Sequence, residues 1–425
     1  MIVPDGSVPR VGVAMPVYNG QNFVEEAISS ILGQTFEDLE LVICDNASTD
    51  RTEEICRSFA ARDDRVRYYR NTENLGAVPN YRKVMSLTRA PYVKWAAHDD
   101  VCLPGFVETC IRVLDDDPSV VLAHTAAASI DEKGQIIKTW SSDPGLADED
   151  PATRFRAALN ISEEIFLFWG MVRADVLRRV PPIGGFVGHD RPMLTALALQ
   201  GRVHLAPEVL FQQREHPDRS VRAHDWRRPR DAVGWYDASK TGKLIFPTWR
   251  LLGEHARSVL LSPVAWKTKS RCLRELARWA GDSRQALRWD LALAAERTPR
   301  VGGRIVGLFD QAVKTVRREI REGEAFILID DATMEIDIFG NRVAVPFIEK
   351  SGTYWGPPPD GETAISELER LRERGVALVV IASNCFWWLD HYPAFAAHLH
   401  RYPTIYTGKD FVIRDLRRSA LEGSS

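Results

Sequence analysis

The sequence of 425 residues has few cysteines, no long apolar run and no strong excess of charge of either sign. Its six cysteines show no C-x-x-C spacing, so we expect reduced, mostly buried thiols and no disulfide framework. No apolar run approaches the roughly 20 residues that span a bilayer, and the N-terminal residues lack the basic and apolar regions of a signal peptide. A net charge of −3 does not fit a nucleic-acid-binding protein. We therefore predict a cytoplasmic protein that has no nucleic acid as a partner.

The length and composition predict several domains with their own hydrophobic cores. At 45% hydrophobic and 27% charged residues, the composition is that of a globular protein, and 425 residues exceed one ordinary domain. Changes of pattern along the chain predict a first domain over residues 8–235, a basic helical linker over 236–324 and a small α/β domain over 325–425.

The stretch from residue 250 to 325 is basic, with 16 Lys and Arg against 9 Asp and Glu. Four tryptophans accompany these charges in what we expect to be helices: Trp249, Trp266, Trp279 and Trp289. We favour an amphipathic linker whose tryptophans pack on the neighbouring domains. The alternative is peripheral contact with an anionic membrane on the inner face of the cell membrane, since basic helices that carry Trp can lie on lipid surfaces.

The first half of the sequence alternates strand and helix patterns. Four short apolar runs predict strands: residues 11–15, 39–44, 66–69 and 92–97. Strands separated by helices imply an α/β fold in which a mostly parallel sheet lies between helices. Ligands bind at the carboxyl ends of the strands in such sheets. Asp45, Asp99 and Asp100 each follow a predicted strand, so we expect them to line one crevice.

Capping patterns predict where two of the intervening helices begin. Asn22 and Glu25 have the spacing of a capping pair for the first helix, and Asp50 and Glu53 have it for the second. We therefore expect Asp50 to bind backbone amides and no ligand.

His98-Asp99-Asp100, at the end of the fourth predicted strand, is the most informative part of the sequence. Two adjacent carboxylates repel each other unless a cation lies between them or water solvates both. Their hard oxygen atoms suit Mg2+ or Mn2+, which commonly bridge protein carboxylates to the phosphates of a ligand. A solvated acidic turn is the simpler interpretation. We predict a metal site that faces the diphosphate of an activated sugar.

Four segments, in their order and spacing, resemble the family 2 inverting glycosyltransferases of the GT-A fold. They are Met15-Pro16-Val17-Tyr18-Asn19-Gly20, Asp45-Asn46-Ala47-Ser48-Thr49-Asp50, Asn74-Leu75-Gly76 and His98-Asp99-Asp100. The resemblance extends to about residue 222. It implies a GT-A fold and the transfer of a sugar from a nucleotide-sugar donor.

The resemblance also implies which of these residues bind the donor. It places Pro16 and Tyr18 near the base and ribose, and it gives Asp45 the imide N–H of uracil, so that the donor is UDP-linked. It implies that Asp99 reaches the ribose or the metal and that Asp100 ligates the metal. The remaining donor contacts that it implies in this part of the chain come from Asn19, Asn74 and Gly76.

Asp190 is the predicted general base. The family supplies a carboxylate at the start of a helix after the acceptor-binding region, and Gly188-His189-Asp190-Arg191 fits that place, with His189 where Glu is usual. An N-cap role for Asp190 is the alternative, because Asp favours helix starts. Arg191 and a helix N-terminus would lower the pKa of Asp190 and weaken it as a base. Desolvation by the acceptor, or proton loss concerted with bond formation, would have to offset this.

A polar segment at residues 213–220 is predicted to close over the diphosphate. In several members of the family a loop here carries a His followed by a Ser, which implies that His216 is a third metal ligand; a surface or packing role is the alternative. The charge of the phosphates would be met by Arg214, Arg219 and Arg222.

The predicted reaction is a single displacement at the anomeric carbon. Mn2+ or Mg2+ on Asp100 would neutralise the departing nucleoside diphosphate, and Asp190 would take the proton of an acceptor hydroxyl. The acceptor is a glycan or a lipid-linked molecule, as in bacterial surface polysaccharide synthesis.

A sugar-phosphate nucleotidylyltransferase is a second candidate, although residues 15–20 lack the Gly-rich loop with Arg and Lys that is usual in those enzymes. A third is a catalytically inactive protein that binds a nucleotide sugar.

The residues after 325 predict a small α/β domain with two aromatic clusters, at residues 354–356 and 386–392. Packing in a core or between domains is the simplest role for these clusters, and stacking on carbohydrate is the alternative. The family resemblance does not reach this part of the chain.

Overall fold

The computed structural model describes residues 8–140, 145–161, 166–219, 229–240, 243, 245–296, 311–331, 334, 336–350, 353–354 and 356–418. Within these ranges the chain forms two compact units. The first holds the described residues of 8–219, 231–243 and 247–284, and the second holds residues 229–230 and 245–246 and the described residues of 285–418. The predicted division into three domains stays a prediction. No helix in the described ranges is both long enough and apolar enough to cross a membrane.

The first unit is built on one sheet, which has nine strands within the described residues. The strands are β1 (Val11–Val17), β2 (Leu39–Asp45), β3 (Val66–Arg70), β4 (Tyr92–Trp95), β5 (Val101–Cys102), β6 (Val120–Ile130), β7 (Ile136–Trp140), β8 (Met171–Arg173) and β9 (Arg202–Arg214). Their order is β3-β2-β1-β4-β8-β6-β9-β5, and β7 pairs with β6. Strands β1 to β4 pair in parallel, whereas β8 runs antiparallel to both of its neighbours. The predicted α/β fold is confirmed; its sheet is mixed, parallel over β1 to β4 and between β6 and β9, and antiparallel in its other pairings.

Strand β1 continues through Pro16, although the sequence predicts that this residue closes it. On one side β1 pairs with β2 as far as Val17 and Asp45, but on the other side its pairing with β4 ends at Ala14 and Trp95. Pro16 has the same strand parity as Ala14, so its missing N–H falls on the side where β4 has already ended. A proline is tolerated in a strand at such an unpaired edge.

Helices cover both faces of this sheet. Those of the first unit are α1 (Val24–Leu32), α2 (Thr52–Ala60), α3 (Ala77–Ser86), α4 (Phe106–Asp116), α5 (Pro151–Leu159), α6 (Ala174–Leu177), α7 (Asp190–Gln200), α8 (Pro229–Tyr236), α9 (Pro247–Leu261) and α10 (Trp266–Asp282). One apolar cluster includes residues of β1, β2, α1 and α4, and another includes residues of α3, α7 and β8. The two clusters lie on opposite faces of the parallel strands, since Val13 and Met15 belong to the first and Ala14 to the second.

Asp50 binds backbone amides as predicted, but the predicted cap is wrong, because Arg51 occupies the cap position of α2 and no side chain caps that helix. The carboxylate of Asp50 accepts the amides of Thr52 at 3.0 Å and Gln21 at 3.1 Å. Glu53 does not complete a capping box, because it pairs with arginine side chains instead. The predicted Asn22 cap is wrong, since α1 has no side-chain cap. The carbonyl of Gly20 accepts the amides of Phe23 and Val24 at the start of the helix.

The second unit is a smaller α/β structure. Its strands are β10 (Ala325–Ile329), β11 (Val343–Pro346), β12 (Glu349–Lys350), β13 (Thr353–Tyr354), β14 (Leu378–Ala382), β15 (Thr404–Thr407) and β16 (Phe411–Asp415). Its helices are α11 (Arg284–Glu296), α12 (Gln311–Glu319), α13 (Gly361–Glu373), α14 (Trp387–His391) and α15 (Pro393–Leu399). The sheet order is β11-β10-β14-β16-β15, with β10 parallel to both neighbours. The predicted small C-terminal α/β domain is thereby confirmed as a fold.

The aromatic residues of the second unit differ in their exposure. Trp388 is fully buried and packs against Phe347 and Tyr392, so core packing explains it. Trp387 is 42% exposed. Trp355, which belongs to the other predicted cluster, lies outside the described residues.

Candidate active site

Three loops at the carboxyl edge of β1, β2 and β3 hold one another in place. The amide of Asn19 donates to Ser48 Oγ at 2.9 Å, and the amide of Thr49 donates to Asn19 Oδ1 at 2.9 Å. Asn19 has φ +50°, a conformation that Asn adopts more readily than most residues. The third loop is joined through Asn46, whose Nδ2 donates to Asn74 Oδ1 at 2.7 Å. The structure therefore brings together three of the four segments that resemble a donor-binding site.

Two glycines allow close approaches within this edge. A Cβ on Gly20 would lie 2.5 Å from Cδ2 of His98, so the loop after β1 meets the fourth segment only because residue 20 has no side chain. Gly76 has φ +87°, and its amide donates to Asn74 Oδ1 at 2.9 Å. The ring of Tyr18 is 42% exposed at the same edge. An exposed ring in this position can stack on a planar base.

Asp45 is fully buried at the end of β2. One carboxylate oxygen accepts the amide of Ser48 at 2.8 Å, and the other accepts Tyr68 Oη at 2.7 Å and Arg70 Nη1 at 3.3 Å. A carboxylate has about four lone-pair sites, so these three donors leave room for one more. The bond from Asp45 to uracil stays a prediction.

Asp99 is held by His216, which follows the end of β9. His216 Nε2 lies 2.9 Å from Asp99 Oδ2, and the imidazole packs on the ring of Phe23 at 4.7 Å. The other ring nitrogen, Nδ1, is buried and has no hydrogen-bond partner among the described residues. His216 therefore contacts the Asp99-Asp100 pair, while its predicted role as a third metal ligand stays a prediction.

Asp100 is bonded to the end of β9. The backbone amide of Arg214 donates to Asp100 Oδ1 at 3.0 Å. The Arg214 guanidinium is 1% exposed and donates to Glu26 Oε2 at 2.7 Å, to the carbonyl of Asp99 at 3.0 Å and to two carbonyls of the β6–β7 turn. Arg214 therefore positions the aspartate pair from inside the protein. Its predicted contact with the phosphates of the donor stays a prediction, and the burial of its side chain gives that contact little surface.

The two adjacent carboxyl groups differ in acidity. Burial and the charge of Asp99 raise the pKa of Asp100 well above its ordinary value. Burial also acts to raise the pKa of Asp99, but His98 and His216 outweigh it and lower that pKa. Asp99 therefore carries the negative charge of the pair, and the carboxyl group of Asp100 ionises with difficulty unless a cation is present.

Asp99 and Asp100 fit a divalent ion that is also coordinated by the phosphates of a bound substrate. Among the described residues, no group of three or more His, Cys, Asp or Glu side chains is placed to hold a metal ion. Mg2+ sites are commonly formed by one or two carboxylates together with substrate phosphates and water, and Asp99 and Asp100 supply two hard carboxylates. The charge of Arg219 acts to lower the pKa of both Asp99 and Asp100, and its guanidinium pairs with Glu215. Arg222 lies outside the described residues.

A family model identifies the segment that carries these loops. The model described as Glycosyl transferase family 2 matches residues 12–177. These residues are a family 2 glycosyltransferase domain. The resemblance seen in the four segments is thereby confirmed, and all four lie inside the glycosyltransferase domain. Asp190, Arg214 and His216 lie beyond the matched residues.

Curated relatives resemble only part of this chain. The chondroitin synthase of Escherichia coli is 33% identical over 138 residues, which are 32% of this chain and 20% of that protein. The hyaluronan synthase of Pasteurella multocida is 28% identical over 146 residues, 34% of this chain and 15% of that protein. An uncharacterized glycosyltransferase of Methanocaldococcus jannaschii is 26% identical over 174 residues, 40% of this chain and 58% of that protein. The chain thus spans less than two thirds of each of these relatives.

Solved structures resemble the chain only distantly. TarS 1-349 of S. aureus in complex with UDP-GlcNAc is 13% identical with a TM-score of 0.49, over 72% of this chain and 86% of that chain. The mannosyltransferase PcManGT of Pyrobaculum calidifontis, in complex with GDP-Man and Mn2+, is 19% identical with a TM-score of 0.43, over 73% of this chain and 83% of that chain. Likenesses this weak say nothing about the ligands of this chain.

An aromatic group connects the glycosyltransferase domain to the residues around Asp190. Trp95, three residues before His98, stacks on Phe168 at 5.1 Å. Phe168 in turn lies 6.0 Å from the ring of His189, which lies 5.5 Å from the ring of Tyr236. The group therefore extends from the strand that precedes the aspartate pair to the residue that precedes Asp190.

Burial and the charges of nearby aspartates raise the pKa values of two tyrosines in this region. Burial raises the pKa of Tyr81, and the charges of Asp99 and Asp100 raise it further. Burial raises the pKa of Tyr236, and the charge of Asp190 raises it further. The charge of Tyr236 also raises the pKa of Tyr81, and the ring of Tyr81 packs on Phe168 at 6.2 Å. The charges of Asp190 and of the aspartate pair thus act on the same group of aromatic residues. Tyr81 and Tyr236 carry no sequence signal that would have singled them out.

Asp190 is the first residue of α7 and does not cap that helix. His189 occupies the cap position, and no side chain caps the helix there. Among the described residues, the carboxylate of Asp190 accepts the amide of the next residue, Arg191, at 3.0 Å and no other hydrogen bond. The Arg191 guanidinium is engaged by the carbonyl of Ile161 at 3.1 Å. The alternative that Asp190 is a helix cap is therefore wrong, while its role as a base stays a prediction.

Proposed function

We propose that this chain transfers a sugar, with inversion at the anomeric carbon, from a UDP-linked donor to a hydroxyl group of a glycan or lipid-linked acceptor. The observation that carries the proposal is the convergence of Asp45, Asp99 and Asp100 at one edge of the sheet within a family 2 glycosyltransferase domain. The names of two relatives, chondroitin synthase and hyaluronan synthase, support a glycan as the product.

The loops after β1 to β3 form the proposed nucleotide site. Tyr18 offers an exposed ring to the base and Asp45 a buried acceptor to an imide N–H. Pro16, Asn19, Asn74 and Gly76 shape the floor of this site, where Asn19 and Asn74 join the loops through their side-chain oxygens. Because these loops are already bonded to one another, little ordering entropy is lost when the nucleotide binds.

Asp99 and Asp100 are the residues that would hold Mn2+ or Mg2+. A bound divalent ion supplies positive charge to the diphosphate as it leaves. His216 orients Asp99, and the amide of Arg214 orients Asp100. These second contacts fix the directions in which the free carboxylate oxygens point.

Asp190 is the proposed base. The acceptor oxygen forms a bond to the anomeric carbon while the bond from that carbon to the diphosphate oxygen breaks. Asp190 takes the proton of the acceptor hydroxyl, so the nucleoside diphosphate leaves with its full charge. The aromatic group from Trp95 to Tyr236 would exclude water between the aspartate pair and Asp190. Exclusion of water favours transfer over hydrolysis.

Thermal unfolding with candidate donors tests the binding half of this proposal. We expect UDP-sugars to raise the midpoint of the wild-type chain in Mn2+ more than in chelator, because a ligand that binds only the folded state stabilises it by about 2.7 kcal/mol at one hundred times its Kd. In Asp100→Asn the part of the shift that depends on Mn2+ is lost. Asp282→Asn, at the exposed end of α10, is the matched control and keeps the full shift.

Other outcomes of the same experiment favour the other candidates. A shift with nucleoside triphosphates and sugar phosphates, but not with nucleotide sugars, would favour a nucleotidylyltransferase. A shift with nucleotide sugars but no product on any acceptor would favour a binding protein. No shift with any of these ligands would contradict the proposed site.

A further inference from the structure

The corner between α9 and α10 exposes large apolar side chains to solvent. Leu260 is 51% exposed, Leu261 62% and Trp266 69%. We call residues 260–266 the α9–α10 tip. Of the four tryptophans in the basic stretch, Trp289 is buried and Trp279 packs on His255, whereas Trp249 and Trp266 are exposed. Packing therefore accounts for Trp279 and Trp289, whereas Trp266 is left largely exposed.

The tip is held rigidly on the first unit by the helices behind it. Val259 and Ser262, which flank Leu260 and Leu261, are buried. Cys272 and Leu276 of α10 are buried in one apolar cluster with Phe155 of α5. The exposed side chains therefore project from an ordered corner whose opposite face is already packed, and they are not the loose end of a core.

A row of basic side chains runs along α10 from the tip. Lys267, Arg271, Arg274 and Arg278 are spaced three or four residues apart and so share one face of the helix. Arg271 pairs with Asp150 and Arg278 with Glu275, but Lys267 and Arg274 make no ion pair within the described residues. The exposed face thus combines an apolar end with net positive charge.

We propose that the α9–α10 tip inserts its apolar side chains into the surface of a membrane that contains anionic phospholipid. Trp and Leu suit the boundary between headgroups and acyl chains, and basic residues beside them are attracted to anionic headgroups. A protein partner would need its own acidic, apolar groove, whereas an anionic bilayer supplies both properties at any point of its surface. The inference does not depend on the proposed sugar transfer.

Co-sedimentation of the 425-residue chain with lipid vesicles tests this surface. We expect binding to vesicles of equimolar phosphatidylcholine and phosphatidylglycerol, weaker binding as salt rises, and little binding to phosphatidylcholine alone. Leu261→Ser/Trp266→Ser removes apolar contact and Lys267→Glu/Arg274→Glu removes charge attraction. Each double variant should lower the affinity about tenfold or more.

The matched control is Ile136→Ser/Ile137→Ser, which removes two aliphatic side chains that are 59% and 53% exposed on β7. It should bind vesicles as well as the wild type. No binding to anionic vesicles, equal binding to neutral vesicles, or an equal loss in the control would overturn the proposal. If a tip variant unfolds, quenching of wild-type fluorescence by brominated lipid replaces it: the quenching should fall in Trp266→Phe, and an unchanged value would overturn the insertion of Trp266.

Discussion

Asp190 is the single residue on which the proposed proton transfer depends. It lies at the start of α7 without a capping role, and its charge acts on Tyr236 across the region that Tyr81 shares with Asp99 and Asp100. The carboxylate caps no helix and accepts one amide within the described residues, so it keeps acceptor capacity for a proton. This is why its replacement should affect turnover more than folding.

Replacing Asp190 with Asn should lower kcat by about 10²- to 10⁴-fold, the range expected for loss of a general base. The KM for the donor and the thermal shift caused by the donor should not change, because Asp190 contacts the acceptor side. Steady-state kinetics with a responsive acceptor measures both constants, and Asp282→Asn is again the control. A variant that keeps the wild-type kcat would show that another group takes the proton.

Single residues differ in how well the sequence predicts their position. Asp45 and Asp99 could be placed at one edge, because the carboxyl ends of neighbouring parallel strands must meet there. Tyr81 and Tyr236 could not be placed near one region, because they lie on helices far apart in the sequence and no local pattern predicts how those helices approach. The burial of Arg214 was equally hidden, since an arginine in a polar segment favours a surface position.

Among the elements, α7 and α9 form a contact whose stability should depend on pH. His255 of α9 is buried, and its Nδ1 lies 3.0 Å from Thr195 Oγ of α7. Burial, and then the charge of Arg191, lowers the pKa of His255 to about 3. In the unfolded chain this histidine has its ordinary pKa of about 6.5. The folded state therefore holds it neutral at a pH where the unfolded state binds a proton.

Stability should fall as the pH drops below about 6.5, because the unfolded chain takes up protons that the folded chain does not. The share of His255 is about 1.4 kcal/mol for each pH unit between about 5.5 and 4. Urea unfolding of the wild type and of His255→Gln over this range measures it, and the variant should show the shallower slope. Parallel slopes would mean that His255 titrates normally in the folded protein.

The elements also show where local sequence signals are sufficient. The apolar runs of β1 to β4 predict strands because both faces of a parallel sheet are buried. Signals for the ends of elements are weaker: the backbone turn at Gly20 replaces the expected Asn22 cap, and pairing on one side only lets β1 pass through Pro16. Both differences arise from neighbouring chain segments, which local patterns do not contain.

At the scale of the whole molecule, function is assigned unevenly along the chain. The family match and the converging loops concern the first unit, while the second unit has its own α/β fold and no assigned role. The net charge of −3 also conceals an exposed basic and apolar surface on α9 and α10. Totals over the chain therefore exclude broad classes of function but do not reveal local surfaces.

Release of nucleoside diphosphate from a panel of UDP-sugars is the most direct test of the central claim. The 425-residue chain should release UDP from at least one donor in Mn2+, through hydrolysis or transfer, and chelator should stop this release. Asp100→Ala should lower the rate by about 10²-fold or more, the loss typical of removing one stabilising group at a developing charge, while Asp282→Asn keeps it. Full turnover by Asp100→Ala or by the chelator-treated wild type would contradict the account.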